Sequence, residues 1–184
     1  MRMFIALELS DAVRQHLAGL SARAKGLLPG CSWVRPESLH VTMKFLGEVA
    51  EPKVGAVCAA LNGVTAGGPI LLRASHLECF PPRGRVRVVA AGLAGDVERL
   101  RTLHREIDRA CADVGIPTEG RRFVPHVTLA RARRGQPSRV REDLAEFAHD
   151  DLPGPDMVAH KFTLMESRLK PAGAEYLPLS RFAI

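Results

Sequence analysis

Apolar residues along the chain switch between two periods. Residues 3–9, Met-Phe-Ile-Ala-Leu-Glu-Leu, form a nearly unbroken apolar run of strand length, the pattern of a largely buried strand. Ser10 or Asp11 then caps a helix with apolar positions Val13, Leu17, Leu20, Ala24 and Leu27, one stripe at 3.6-residue spacing that Pro29-Gly30 ends. A short segment around Trp33-Val34 leads to a second strand, Leu39 to Leu46, closed by Gly47. Pro52 falls in the first turn of the next helix, where its missing N–H costs nothing. That helix carries the stripe Val54, Val57, Cys58, Leu61 and Val64, and Gly67-Gly68-Pro69 breaks the chain after it.

The second half reads alike. Strands are predicted over Ile70 to Phe80 and Arg85 to Leu93, joined by the hairpin punctuation Pro81-Pro82-Arg83-Gly84. A long helix follows from about Asp96 to Val114, with Val97, Leu100, Leu103, Ile107 and Cys111 facing inward and Gly115-Ile116-Pro117 as its stop. Phe123 to Arg131 is strand-like, Arg131 to Ser138 reads as a mobile surface loop, and Val140, Leu144 and Phe147 mark a shorter helix. Beyond the Pro153-Gly154-Pro155 loop, Val158 to Leu169 and Tyr176 to Phe182 are a closing pair of strands.

The order of elements repeats. A strand ending at Leu9 is followed by a helix, a loop and a strand bearing His40-Val41-Thr42; a strand ending at Leu93 is followed by a helix, a loop and a strand bearing His126-Val127-Thr128. The separations, 31 and 33 residues, are nearly equal. This is the trace of an internal duplication: an α+β fold of two similar lobes, rich in antiparallel sheet, around a central groove. Equivalent strands are expected to face each other across a cleft between two sheets. No Pro/Gly/Ser-rich linker divides the halves, so residues 1–184 are expected to form one bilobal domain.

In a strand alternate side chains share a face, so His40 and Thr42 point together, as do His126 and Thr128, with Val41 and Val127 turned to the core. Two imidazoles and two hydroxyls converging on one point suit a phosphate. The hydroxyls donate to non-bridging oxygens, a neutral histidine activates a nucleophile, and a protonated one donates to the leaving oxygen. That arrangement calls for no metal and no cofactor. A single His-x-Thr is common on strands, where threonine is favoured anyway. Two copies at equivalent places of a repeat would need the coincidence twice.

Composition adds context. With 46 % hydrophobic and 25 % charged residues the chain has the balance of an ordinary globular protein. No apolar stretch approaches the roughly 20 residues of a membrane span, and Glu8 interrupts the N-terminal run too soon for a secretory leader. Cys31, Cys58, Cys79 and Cys111 are scattered, without metal-ligand spacing. A cytoplasmic protein with no membrane partner is expected. The net charge of +6 comes from 21 arginines and 5 lysines against 20 acidic residues, and guanidinium forks suit phosphate, although a codon bias toward arginine gives the same count.

The passages Ser38-Leu39-His40-Val41-Thr42-Met43-Lys44-Phe45-Leu46-Gly47-Glu48 and Phe123-Val124-Pro125-His126-Val127-Thr128-Leu129-Ala130-Arg131 resemble the two signatures of the two-histidine phosphoesterase superfamily. Within it they are most similar to the RNA 2′,3′-cyclic phosphodiesterases, also called 2′-5′ RNA ligases. Phe4-Ile5-Ala6-Leu7 and the segment from Leu179 to Ile184 extend the resemblance over essentially the whole chain. The resemblance implies a bilobal fold and metal-independent hydrolysis of a terminal 2′,3′-cyclic phosphate to a 2′-phosphate, with reversible 2′-5′ ligation in related members. It also implies RNA ends, such as tRNA halves, as partners of a monomer. By analogy His126 is the base that activates water and His40 the acid that protonates the departing 3′ oxygen, while Thr42 and Thr128 hold the phosphate.

Arg131 and Phe45 match the residues near the ends of the two signatures, as a phosphate contact and a base-stacking ring. Strand alternation places both on the face opposite the histidines, so each reaches the groove only through a bulge or a strand end. Lys44 has the parity of His40 and is a candidate for substrate phosphates or for solvent. Arg83, Arg85, Arg87, Arg121 and Arg122 are candidates to guide an RNA backbone. His104 is expected to pack and hydrogen-bond beside its helix stripe, and His16, His76, His149 and His160 have no assigned role. Two other readings stay open: a phosphodiesterase for a small cyclic nucleotide or ADP-ribose cyclic phosphate, and a non-catalytic RNA-binding module.

Overall fold

The computed structural model describes residues 1–133, 140–147, 152–171 and 173–184, so most of the loop predicted over 131–138, and His149, lie outside the described residues. In chain order the elements are β1 (Arg2–Glu8), α1 (Asp11–Leu27), β2 (Cys31–Trp33), β3 (His40–Glu48), α2 (Glu51–Leu61), β4 (Ile70–Phe80), β5 (Val88–Gly95), α3 (Val97–Asp113), β6 (His126–Ala132), α4 (Val140–Glu146), β7 (Asp156–Ala159), β8 (Lys161–Lys170) and β9 (Gly173–Ala183). Ser10 caps α1, its hydroxyl accepting the Val13 N–H at 3.4 Å. The α1 stripe is buried through Ala24, but Leu27 is exposed and Leu28, just past the last turn, takes the core position. The second hairpin strand begins at Val88, three residues later than its pattern predicts, leaving Arg85 and Arg87 in the connection.

Among the described residues, nine strands form one strongly curled sheet in the order β7-β4-β5-β6-β3-β1-β8-β9, with β2 on β6. The order is symmetric about its centre. The two motif strands, β3 and β6, lie side by side, paired antiparallel at Val41 and Val127. They therefore do not face each other across a gap between two sheets. The pairing is confined to that point, and beyond it β2 takes up the edge of β6 at Ala130–Ala132. Outward from the centre, β1 pairs with β3 and β5 with β6; then β8 pairs with β1 and β4 with β5. Thus β4, which follows the first half, joins the second half's strands, and β8 returns the exchange.

The run predicted as one strand over residues 158–169 is two, β7 and β8, parted by His160. β7 pairs with β4 and β8 with β1, far apart in strand order, and a one-residue link bridges them because the sheet curls. One face of the sheet is covered by α1 and α3. Leu17, Leu20, Leu100 and Ile107 pack there with Ile5, Leu7, Val41 and Val127 in the main hydrophobic core. The other face lines a groove. Among the described residues, no helix is long and apolar enough to cross a membrane.

Candidate active site

The central strands carry a matching irregularity. On β3, Thr42 pairs with Ala6 and Lys44 with Ile5, so Met43 is an extra residue. On β6, Thr128 pairs with Ala90 and Ala130 with Val89, so Leu129 is extra. Each is a bulge, two residues opposing one, and each reverses the alternation beyond it. After the first, Lys44 turns into the core and Phe45 turns out; after the second, Ala130 turns in and Arg131 turns out. Phe45 and Arg131 therefore both line the groove, which regular alternation denies them. Lys44 is corrected the other way. It is fully buried, its ammonium 2.5 Å from Asp108 Oδ1 and 2.8 Å from the Pro117 carbonyl, and it does not approach the groove.

Ahead of the bulges the two motifs are built alike. His40 Nδ1 lies 2.7 Å from the Ser38 carbonyl, and His126 Nδ1 lies 2.7 Å from the Val124 carbonyl. A carbonyl only accepts, so each Nδ1 carries a proton and each neutral ring keeps its lone pair on Nε2. His40 Nε2 is 3.0 Å from Thr42 Oγ1, which donates to it in the neutral form. Carrying the Val41–Val127 register one residue each way sets His40 opposite Thr128 and Thr42 opposite His126. Each imidazole thus has the other motif's hydroxyl as its cross-strand neighbour.

The surroundings differ. Phe4 and Tyr176 pack on His40, with ring centroids 4.9 and 5.2 Å away, and Phe80 packs on His126 at 4.8 Å. Burial pushes the His40 pKa below its ordinary value; the Ser38 hydrogen bond opposes that shift, and the nearby charges of His126 and Arg131 add to it. Glu78, on the His126 side, has its pKa raised by burial, with His76 and His126 pulling the other way.

Two adjoining cavities make up the groove. One, of about 410 Å³, holds His40 and Tyr176; the other, of about 630 Å³, holds His126 and Phe80. Thr42, Thr128, Phe45 and Arg131 border both. All six residues singled out in the sequence therefore come together. Arg121 and Arg122 line the His126 cavity, whereas Arg83, Arg85 and Arg87 line neither. His104 is buried and stacked on Phe123, but its Nε2 has no hydrogen-bond partner among the described residues, against expectation. Phe4, Phe80 and Tyr176 were not singled out from the sequence. Tyr176 is the chain's sole tyrosine and Phe80 ends a predicted strand, yet only the strand order brings them to the histidines.

The family model described as LigT like Phosphoesterase matches the chain twice, over residues 7–90 and 93–176. The two matches start 86 residues apart, the spacing of His40 and His126, so Leu7 rather than Leu9 corresponds to Leu93. The RNA 2′,3′-cyclic phosphodiesterase of Geobacillus stearothermophilus is 33 % identical over 134 residues, covering 72 % of this chain and 42 % of that longer protein. The RNA 2′,3′-cyclic phosphodiesterase of Aquifex aeolicus (strain VF5) is 30 % identical over 183 residues, 98 % of this chain and 96 % of that one. The crystal structure of a Thermus thermophilus protein superposes with a TM-score of 0.82 at 26 % identity, covering 100 % of this chain and 97 % of that chain.

Proposed function

The chain belongs to the LigT-like phosphoesterase family, and from that premise we propose that it hydrolyses the 2′,3′-cyclic phosphate of an RNA end to a 2′-phosphate without a metal. The observation that carries this reading is the pair of histidines with Nδ1 tied to a backbone carbonyl, on a groove bordered by two threonines and an arginine. The names of the relatives support the choice of substrate.

His126 Nε2 accepts a proton from water as the water oxygen attacks phosphorus. The bond from phosphorus to O3′ breaks, and His40 gives O3′ its proton. Thr42 and Thr128 donate to the non-bridging oxygens, and Arg131 offsets the charge that grows on them. Burial disfavours the proton on His40 in the empty groove; the negative phosphodiester favours it on arrival. Phe45, exposed at 58 % and 6.2 Å from the Phe4 ring, stacks on the terminal base. With a 5′-hydroxyl in place of water the same steps join two RNA ends, such as tRNA halves, through a 2′-5′ bond. Both histidines come from one chain, so a monomer suffices, and a cytoplasmic site of action accords with an RNA-end substrate.

The test is hydrolysis of a short RNA ending in 2′,3′-cyclic phosphate, with chelator present, by the parent, His40→Ala and His126→Ala. A 2′-phosphate product whose rate falls about 10³-fold in each variant is expected, within the range for a lost acid or base. Loss of activity to the chelator would overturn the metal-free mechanism. The His40 cavity, about 410 Å³, also suits a free nucleotide, and faster turnover of a cyclic mononucleotide than of RNA would reassign the substrate. Salt-dependent RNA binding without turnover, unchanged in both variants, would leave an RNA-binding module.

A further inference from the structure

A third cavity, of about 620 Å³, lies between α3 and the segment 118–123. Arg101, Arg105 and Arg109 line it from α3, and Arg121 and Arg122 from the facing segment. Residues four apart share a helix face, so the α3 arginines form one row of like charges, which costs the helix a little stability. Carboxylates do not balance them. Glu98 is taken by Arg101 and Asp108 by the buried Lys44, while Glu119 accepts the Phe45 N–H at 3.0 Å. Among the described residues Arg105 reaches only the Thr102 hydroxyl, at 2.8 Å. Arg109, Arg121 and Arg122 have no hydrogen bond or ion pair among the described residues. Four guanidiniums thus face one carboxylate in a shared space, an arrangement that folding alone does not reward.

The wall opposite α3 is held in place. Phe123 stacks on His104 with centroids 4.3 Å apart and planes at 9°, and the Glu119 N–H donates to Asp108 at 3.2 Å. His104 is itself only 7 % exposed. Little ordering remains for a ligand to impose. The cavity also adjoins the groove, since Glu119, Arg121, Arg122 and Phe123 line both it and the His126 cavity.

We propose that this cavity is a docking site for the phosphodiester backbone of the RNA strand whose 3′ end lies beside His126. Arg121 and Arg122 receive the phosphates nearest the end, and Arg105 and Arg109 those further toward the 5′ side. The identity of the polyanion rests on the proposed function; the site itself rests on the unpaired arginines. One inorganic phosphate occupies two such forks, whereas a strand engages the whole row.

The test uses Arg105→Gln/Arg109→Gln, two exposed positions of α3 that line neither cavity of the groove. The readout is the ratio of kcat/KM for an octanucleotide ending in 2′,3′-cyclic phosphate to that for a 2′,3′-cyclic mononucleotide. The ratio is expected to fall about tenfold, and the salt slope for the octanucleotide to flatten by about 1.4, some 0.7 for each lost phosphate contact on a single strand. The Arg105→Lys/Arg109→Lys variant keeps the charges and should keep the slope. An unchanged ratio and slope overturn the docking site. If the parent turns over neither substrate, the functional reading fails, and anisotropy of the same octamer ending in a hydroxyl decides the site alone. Weaker binding in the Gln variant supports it, and equal binding overturns it. Competition by polyglutamate as strong as by RNA would also overturn it, in favour of an acidic protein.

Discussion

The His40 half and the His126 half repeat one backbone and surround it with different chemistry. Both rings hold a carbonyl two residues upstream at 2.7 Å, and both strands bulge after the threonine. Beyond that the likeness stops. Two aromatic rings, Phe4 and Tyr176, pack on His40 and one, Phe80, on His126; Phe45 borders both cavities, while Arg121 and Arg122 line the His126 side. At equivalent bulge positions one half presents Phe45 and the other Arg131, and one buries Lys44 where the other buries Ala130. Duplication thus supplies two like histidines in different surroundings: His40 has the second aromatic ring, and the His126 cavity adds Arg121 and Arg122 to the shared Arg131.

The two bulges offer the sharpest way to break the likeness. Ala130 fills its place without a polar partner, while Lys44 depends on Asp108. Asp108→Ala leaves a fully buried ammonium with only the Pro117 carbonyl, and is expected to cost about 3–5 kcal/mol in urea unfolding. Lys44→Met should cost less, because Asp108 is 17 % exposed and keeps the Glu119 N–H. Equal and small losses would mean that the ion pair does not hold the bulge.

Replacing the threonines tests whether the halves share the phosphate. Thr42→Val and Thr128→Val are each expected to lower kcat about 10²-fold, the scale for one donor to a developing oxyanion. Thr42 also bonds His40 Nε2, so its loss should be the larger and should alter the pH profile as well. A smaller contrast separates the residues past the bulges. Arg131→Met should lower kcat about tenfold with KM little changed. Phe45→Leu should raise KM for RNA about tenfold, within the range for one base–aromatic stack. The reverse pattern would exchange their roles.

The contrast between the halves also separates what the sequence discloses from what it hides. Helix stripes, strand runs and the doubled His-x-Thr are local patterns and are legible residue by residue. A bulge is not, because it is a two-against-one pairing settled by the partner strand. That is why alternation sent Phe45 and Arg131 to the wrong face and Lys44 to the groove, and why β1 and β5 correct all three. The aromatic neighbours are hidden for a similar reason. Tyr176 reaches His40 because β8 pairs with β1 and brings β9 with it, and Phe80 reaches His126 because β5 pairs with β6 and brings its hairpin partner β4 with it. The exchange of strands depends on contacts distant in sequence, as does the break at His160 that lets β7 and β8 part.

The subtlest expected effect concerns which histidine gives the proton. Burial beside Phe4 and Tyr176 holds His40 below the ordinary histidine value of about 6.5. kcat/KM reports the free enzyme. If His40 is the acid, activity needs its proton, and the lowered pKa keeps the protonated fraction small above it. Tyr176→Ser opens the ring to water, raises the pKa and should raise kcat/KM on the basic side of the profile while leaving the far acidic side unchanged. Phe80→Ser opens the other ring and should not give that gain. If His40 is instead the base, activity needs it neutral, so Tyr176→Ser would lower kcat/KM on the acidic side and leave the basic side unchanged. The side that changes assigns the proton, because only one of the two rings lies against Tyr176.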